Sequence, residues 1–211
     1  MQKNDFSKTR SLDKYSIFIS IIFFIIIAYA TFFHHDYWTD GDYLIYSNLG
    51  ENVLSGNGKN VKMLNAGLGG PVFYASINSL TGDAFLNAKL ISLLAGTGIV
   101  LVSYFTIKNI FGAKIALLGQ LFVVFTPRIG ILSIQTLNEI IPIFLIFSSF
   151  FFITRKNINL KHLAVIGILL GIAFTFRYQS GLILIAFIVF LLIRNKKIKQ
   201  NPKKKLPITP S

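Results

Sequence analysis

The 211-residue chain has no cysteine, one tryptophan, six prolines and only eight acidic residues, and these shortages remove several classes of protein at once. Without cysteine there is no structural disulfide and no thiolate metal site, and the redox compartment leaves no mark. The common signatures of phosphate-cradling and hydrolytic chemistry are missing as well. There is no P-loop, no G-x-G-x-x-G after a strand, no H-E-x-x-H and no G-x-S-x-G. No internal repeat is visible. Base, by contrast, is plentiful: 21 Lys and Arg give a formal net charge of +13. On a soluble surface that excess would point to nucleic acid, so the placement of the charges matters more than their number.

Hydrophobic residues make up 53% of the chain and are bunched into blocks instead of being spread at core periodicity. Ser16 to Phe33 is almost unbroken, and about 18 apolar residues without charge is the length at which a helix crosses a bilayer. Further blocks lie at 86–107, 115–127, 140–154, 163–176 and 181–193, each ended by Lys, Arg, Pro or Gly. They predict an all-α membrane protein, a polytopic bundle of about six transmembrane helices. The third, fifth and sixth blocks are short, a length that also suits re-entrant or protein-covered helices. Ala28-Tyr29-Ala30 has the form of a signal-peptidase site. Yet the run before it exceeds an ordinary signal h-region and five more blocks follow, so it reads as a retained span.

With alternating spans, sixteen of the Lys and Arg fall on the side of both termini. The other five, Lys59, Lys62, Lys89, Arg128 and Arg177, fall on the opposite side. The positive-inside rule then puts both termini in the cytoplasm, makes the basic excess a topology signal and excludes nucleic acid as a partner. The expected organisation is a cytoplasmic N-terminus at 1–15, a transmembrane module at 16–195 with an outer loop at about 34–85, and a basic disordered cytoplasmic tail at 196–211, in the cell membrane. Acidic residues fall the other way. Asp36, Asp40, Asp42, Glu51, Asp83 and Glu139 are outside, and only Asp5 and Asp13 are inside.

The outer loop has periodicity of its own. Ile45, Tyr46, Leu49, Val53 and Leu54 share one face and Ser47, Asn48, Glu51, Asn52 and Ser55 the other, which predicts an amphipathic helix from Asp42 to Ser55 lying along the membrane surface. A second helix is expected from Pro71 to Leu80, stopped by Thr81-Gly82.

Three sets of residues are candidates for chemistry. Asp40-Gly41-Asp42 follows the first span, with His34, His35, Asp36 and Trp38 just upstream. Two carboxylates at this spacing can bind a divalent cation, or one can act as general base while the other orients it; equally, Thr39 or Asp40 can simply cap the helix that starts near Asp42. Glu139 stands at the outer start of the fourth span, where an acid is a functional candidate by default. Thr136-Leu137-Asn138-Glu139 also has the spacing of a capping box. Arg128 and Arg177 are the only outer arginines, placed to pair with a phosphate or to anchor at the lipid headgroups. His34 and His35, adjacent and beside aromatics, read as interfacial residues.

The order of these features resembles the N-terminal membrane module of the GT-C glycosyltransferases, in particular dolichyl-phosphate-mannose-protein mannosyltransferases and aminoarabinose transferases. The residues that carry it are TDGDYLIYSNLGENVLSGNG, then GGPVFYASINSLTG, then NAKLISLLAGTGIVLVSYFTIKNIFGAKIALLGQLFVVFTPRIGILSIQTLNE, and last GILLGIAFTFRYQSGLILI, within residues 15–195. The resemblance implies a membrane enzyme that takes a sugar from a polyprenyl-phosphate-linked donor and passes it to a protein or lipid acceptor hydroxyl on the outer face. It maps the acidic loop motif to Asp40 and Asp42, one of them the base, and substrate binding to Glu139, Arg128 and Arg177. The family has Asp-Glu where this chain has Asp-Gly-Asp. Asp-x-Asp and Asn138-Glu139 are also similar to the oligosaccharyltransferases, which use a divalent metal, so Mg or Mn held by Asp40, Asp42 and Glu139 is a further reading. Family members carry more spans, which implies a further C-terminal portion or a partner subunit. The alternative readings are a non-catalytic or truncated relative, or a small multi-pass transporter.

Overall fold

The computed structural model describes residues 2–33, 41–57, 67–135, 139–155 and 158–200. The helices are α1 (Gln2–Phe33), α2 (Gly41–Leu54), α3 (Gly69–Thr81), α4 (Ala84–Phe111), α5 (Ala113–Val124), α6 (Pro127–Ile134), α7 (Ile140–Ile153), α8 (Leu160–Phe176) and α9 (Ser180–Gln200), and the described residues include no strand. This is the all-α membrane architecture expected. Lipid offers no hydrogen bonds to a bare backbone, so apolar blocks of this length have little choice but helix.

The blocks differ in how they span. Ser11–Phe33 and Phe85–Phe111 are long and apolar enough to cross a membrane, and α5 with α6, bent by 60°, make a third span if they are one. Ile140–Ile153, Leu160–Phe176 and Ser180–Phe190 are shorter apolar helices. From Asp13 onward, one face of α1 packs into the bundle. Phe23 and Ile27 join Leu93 and Val100 in one core cluster. Asp13 takes Lys108 Nζ at 2.6 Å and the Tyr104 hydroxyl at 2.7 Å, and Gln120 of α5 donates to Ser16 O and Ser20 Oγ. The boundaries expected at 15 and 195 both fall inside continuous helices. Residues 196–200, expected in a disordered tail, continue α9, because the helix started in the apolar run has no breaker before Asn201-Pro202.

α4 is the mast of the fold. Gly112, at φ 88°, turns it into α5 with a single residue, a conformation that glycine adopts without steric cost. On another face it runs parallel to α7. Gly98 faces the Phe144 ring, the Phe105 and Phe151 rings lie 6.3 Å apart, and Asn109 Nδ2 donates to Thr154 Oγ1 at 3.2 Å. That register sets Glu139, at the head of α7, level with Leu93. Leu93 is nine residues along from Ala84, ~14 Å at 1.5 Å per residue. α4 therefore projects beyond α7.

The loop helices α2 and α3 fill the step. α3 lies against the projecting end of α4 and over the ends of α7 and α8, and Tyr74, Ala88, Ile140 and Phe176 form one buried cluster. Gly67 N–H donates to Phe176 O at 3.1 Å, and the Phe73 and Phe176 rings are 5.6 Å apart. The short α8 thus ends against the loop helix α3. α2 matches the expected helix, but its packing face does not. It meets α3 through Tyr46, Ser47 and Gly50, which are buried, while Ile45 and Leu54 are exposed. Ser47 Oγ accepts from Asn78 Nδ2 at 3.0 Å, so a residue assigned to the polar face becomes part of the helix–helix seam. α3 stops at Gly82, φ 77°, as its Thr81-Gly82 signal predicts.

Candidate active site

Glu139 is the N-cap residue of α7, yet its side chain makes no capping hydrogen bond. Each carboxylate oxygen is taken by a guanidinium instead. Oε2 lies 2.9 Å from Arg128 Nη2 and Oε1 lies 2.5 Å from Arg177 Nη2. The Glu139 half of the expected capping box is thus engaged in ion pairs, and its side chain makes no capping bond. Thr136 to Asn138 lie outside the described residues.

The three partners come from separate elements. Arg128 follows Pro127, which opens α6 at its first helical position. Arg177 is the C-cap of α8, in extended backbone directly after the buried Phe176. Burial of Phe176 beneath α3 thus fixes where the guanidinium emerges. Among the described residues the cluster carries two positive charges against one negative. Its side chains are unequally shielded, with Glu139 24%, Arg177 35% and Arg128 62% exposed. Arg177 Nε is buried and has no acceptor among the described residues. Each guanidinium carries five N–H donors, so one ion pair leaves most of them available to an anion.

The remaining candidates divide. Asp40, His34, His35, Asp36 and Trp38 lie outside the described residues, and Asp42 is placed only as the second residue of α2. As a metal ligand Glu139 fits poorly, because a cation there would sit against two guanidiniums that already neutralise the carboxylate. Among the described residues no three His, Cys, Asp or Glu side chains converge. Lys89, by sequence a topology charge, is 6% exposed on α4, with its ammonium 4.4 Å from the Phe85 ring centroid and 5.8 Å from that of Phe32. A lysine inside an otherwise apolar span was the available signal.

Comparison with known proteins gives one family. The family model described as dolichyl-phosphate-mannose-protein mannosyltransferase matches residues 65–209. Neither the curated proteins nor the solved structures yield a match. The matched segment runs from just before α3 to beyond α9 and contains Arg128, Glu139 and Arg177; α1, α2 and the Asp40-Gly41-Asp42 motif precede it. The family is one of membrane glycosyltransferases of the GT-C type, in keeping with an all-helical membrane bundle whose charged cluster lies beneath a helical loop. On a match of this extent, the chain belongs to the dolichyl-phosphate-mannose-protein mannosyltransferase family.

Proposed function

We propose that the chain moves a sugar from a polyprenyl-phosphate-linked donor to a protein or lipid acceptor hydroxyl on the outer face of the cell membrane, both termini being cytoplasmic. The observation that carries this reading is the convergence of Arg128, Glu139 and Arg177 at the recessed head of α7. A lipid-linked phosphate leaves with negative charge, and guanidiniums already held in place by Glu139, Arg177 the more shielded of the two, would stabilise it. Glu139 holds both arginines in place and tempers their charge, so that the product phosphate can be released.

In this mechanism Asp40 or Asp42 takes the proton of the acceptor hydroxyl. Its oxygen then forms a bond to the anomeric carbon while the bond from that carbon to the phosphate oxygen breaks. Arg177 and Arg128 receive the departing phosphate. The 60° break between α5 and α6 is a feature that transporters also use. Membership of a glycosyltransferase family favours transfer over transport.

The test is sugar transfer from a polyprenyl-phosphate donor in membranes containing the wild-type chain, Asp40→Asn, Asp42→Asn or Arg177→Ala. Loss of the base is expected to cost about 10²-fold or more in one of the two aspartate variants, and Arg177→Ala a similar factor. Full activity in all three variants refutes the site assignment. No turnover by a stably inserted wild-type chain favours the non-catalytic reading.

A further inference from the structure

Among the described residues, Lys89 is the outer cation that the mechanism above leaves unused. Lysine is almost never fully buried unless paired, yet no carboxylate among the described residues pairs with this one. The Phe85 and Phe32 rings beside its ammonium offset only part of the cost of taking that charge out of water. Asp83, the acid closest to it along the chain, is committed to capping α4, where its carboxylate accepts the Leu86 N–H at 2.9 Å. Glu51 is exposed on α2. A buried ammonium in these surroundings is a seat for an anion brought from elsewhere.

The ends of two other helices come to this corner. α1 brings Phe32, its second-last residue. α2 runs antiparallel to α3, with Ser47 against Asn78 and Gly50 against Pro71 and Ala75. Followed back to Gly41, α2 therefore starts near the Gly82 turn, just before α4 and Phe85. Asn87 ties that end of α3 to α4 through Asn78 Oδ1 and Thr81 Oγ1. A lysine on a helix leans toward the N-terminus, which carries the Lys89 ammonium to the level of Phe85. Phe33 and Gly41, the helix ends between which Asp36 and Asp40 lie in sequence, thus both come to the corner where Lys89 is buried.

Lys89 is turned away from the arginine cluster. Its neighbour Ala88 packs with Tyr74, Ile140 and Phe176, the residues next to Glu139 and Arg177, whereas Lys89, about 100° further round α4, faces α1. Its anion is therefore a carboxylate of the loop and not the group held by the arginines. Carboxylates as close in sequence as Asp36, Asp40 and Asp42 disfavour one another's ionised form, and a base has to be ionised to accept a proton. We propose that Lys89 is a positioning residue for the transfer: its ammonium takes a carboxylate of the Asp40-Gly41-Asp42 motif and holds the base, ionised, at the outer corner of α1 and α4. The proposal rests on the reading of that motif as the source of the base and adds the group that keeps it in place.

The experiment has two arms, both on the full chain. In detergent micelles, double-mutant cycles pair Lys89→Met with Asp40→Asn, with Asp42→Asn and, as a control, with Asp83→Asn. A coupling of about tenfold in the unfolding constant is expected with one motif aspartate, and none with Asp83. In membranes, Lys89→Met is expected to lower kcat for sugar transfer about tenfold at unchanged donor KM, because the base acts in the transition state. Lys89→Arg, which keeps the charge, recovers most of that loss. Absence of coupling to both motif aspartates overturns the proposal. So does a raised donor KM at unchanged kcat, which would put Lys89 on the donor's phosphate. Coupling in a wild-type chain that transfers no sugar would keep the ion pair and overturn the catalytic reading alone.

Discussion

Replacing Glu139 by Gln keeps the shape of the side chain and removes the charge on which two guanidiniums converge. The two pairs are unequal, because Arg177 is 35% exposed and Arg128 62%. Truncating one partner of a fully buried pair costs about 3–5 kcal/mol, whereas an exposed pair contributes about 0–1 kcal/mol. Arg177–Glu139 lies between these limits, with Arg177 Nε already out of solvent, so its coupling is expected at about 1–2 kcal/mol. The Arg128–Glu139 coupling is expected below about 1 kcal/mol. Two double-mutant cycles measure this, pairing Glu139→Gln with Arg177→Gln and then with Arg128→Gln, each followed by unfolding in detergent micelles. Glu139→Gln alone strands Arg177 in a recess without its counter-charge. Adding Arg177→Gln is therefore expected to return part of the loss. Equal couplings in the two cycles, a larger value for Arg128, or two couplings within about 0.3 kcal/mol of zero would refute the idea that burial ranks the pairs.

Other expectations concern how the loop and α1 are held. A Cβ at Gly67 would overlap the Thr175 carbonyl, so Gly67→Ala is expected to cost about 1–3 kcal/mol and to lower hydrogen-exchange protection in α3; unchanged protection would show that the loop does not rest on α8. Gln120 is fully buried and donates to Ser16 O at 3.1 Å and Ser20 Oγ at 3.0 Å. Interhelical hydrogen bonds of this kind are worth ~0.6 kcal/mol and at most ~1.7 kcal/mol, so Gln120→Leu is expected to lower unfolding stability within that range and to loosen α1, read by cross-linking of α1 to α5. A larger loss would mean that Gln120 organises more than this contact. The aspartate and arginine variants complete the set.

Much of the candidate site was legible one residue at a time. Glu139, Arg128 and Arg177 stand out because charge in apolar surroundings is costly and rarely idle. Their meeting was not legible, since 38 residues separate Glu139 from Arg177 and pairing depends on the level at which each short helix ends. The rings that cover Lys89 have no signature in the sequence, which bears only on the side of the membrane to which a lysine belongs. The loop helix at 41–54 was visible in its period, but its packing face was misread: a small Ser47 and Gly50 allow close approach to α3, and closeness outweighed apolarity there.

The sequence by itself determined that this is a helical membrane protein, because apolar runs of such length must satisfy their own backbone hydrogen bonds in lipid. It determined also which residues were worth suspecting. Only the tertiary structure decided that α6 turns by 60° from α5, that α3 stands on the ends of α7 and α8, and that Glu139 is held by two arginines instead of capping its helix. Those outcomes depend on the register between α4 and α7, set by contacts such as Gly98 against Phe144, and a register between distant segments has no local signature in the chain.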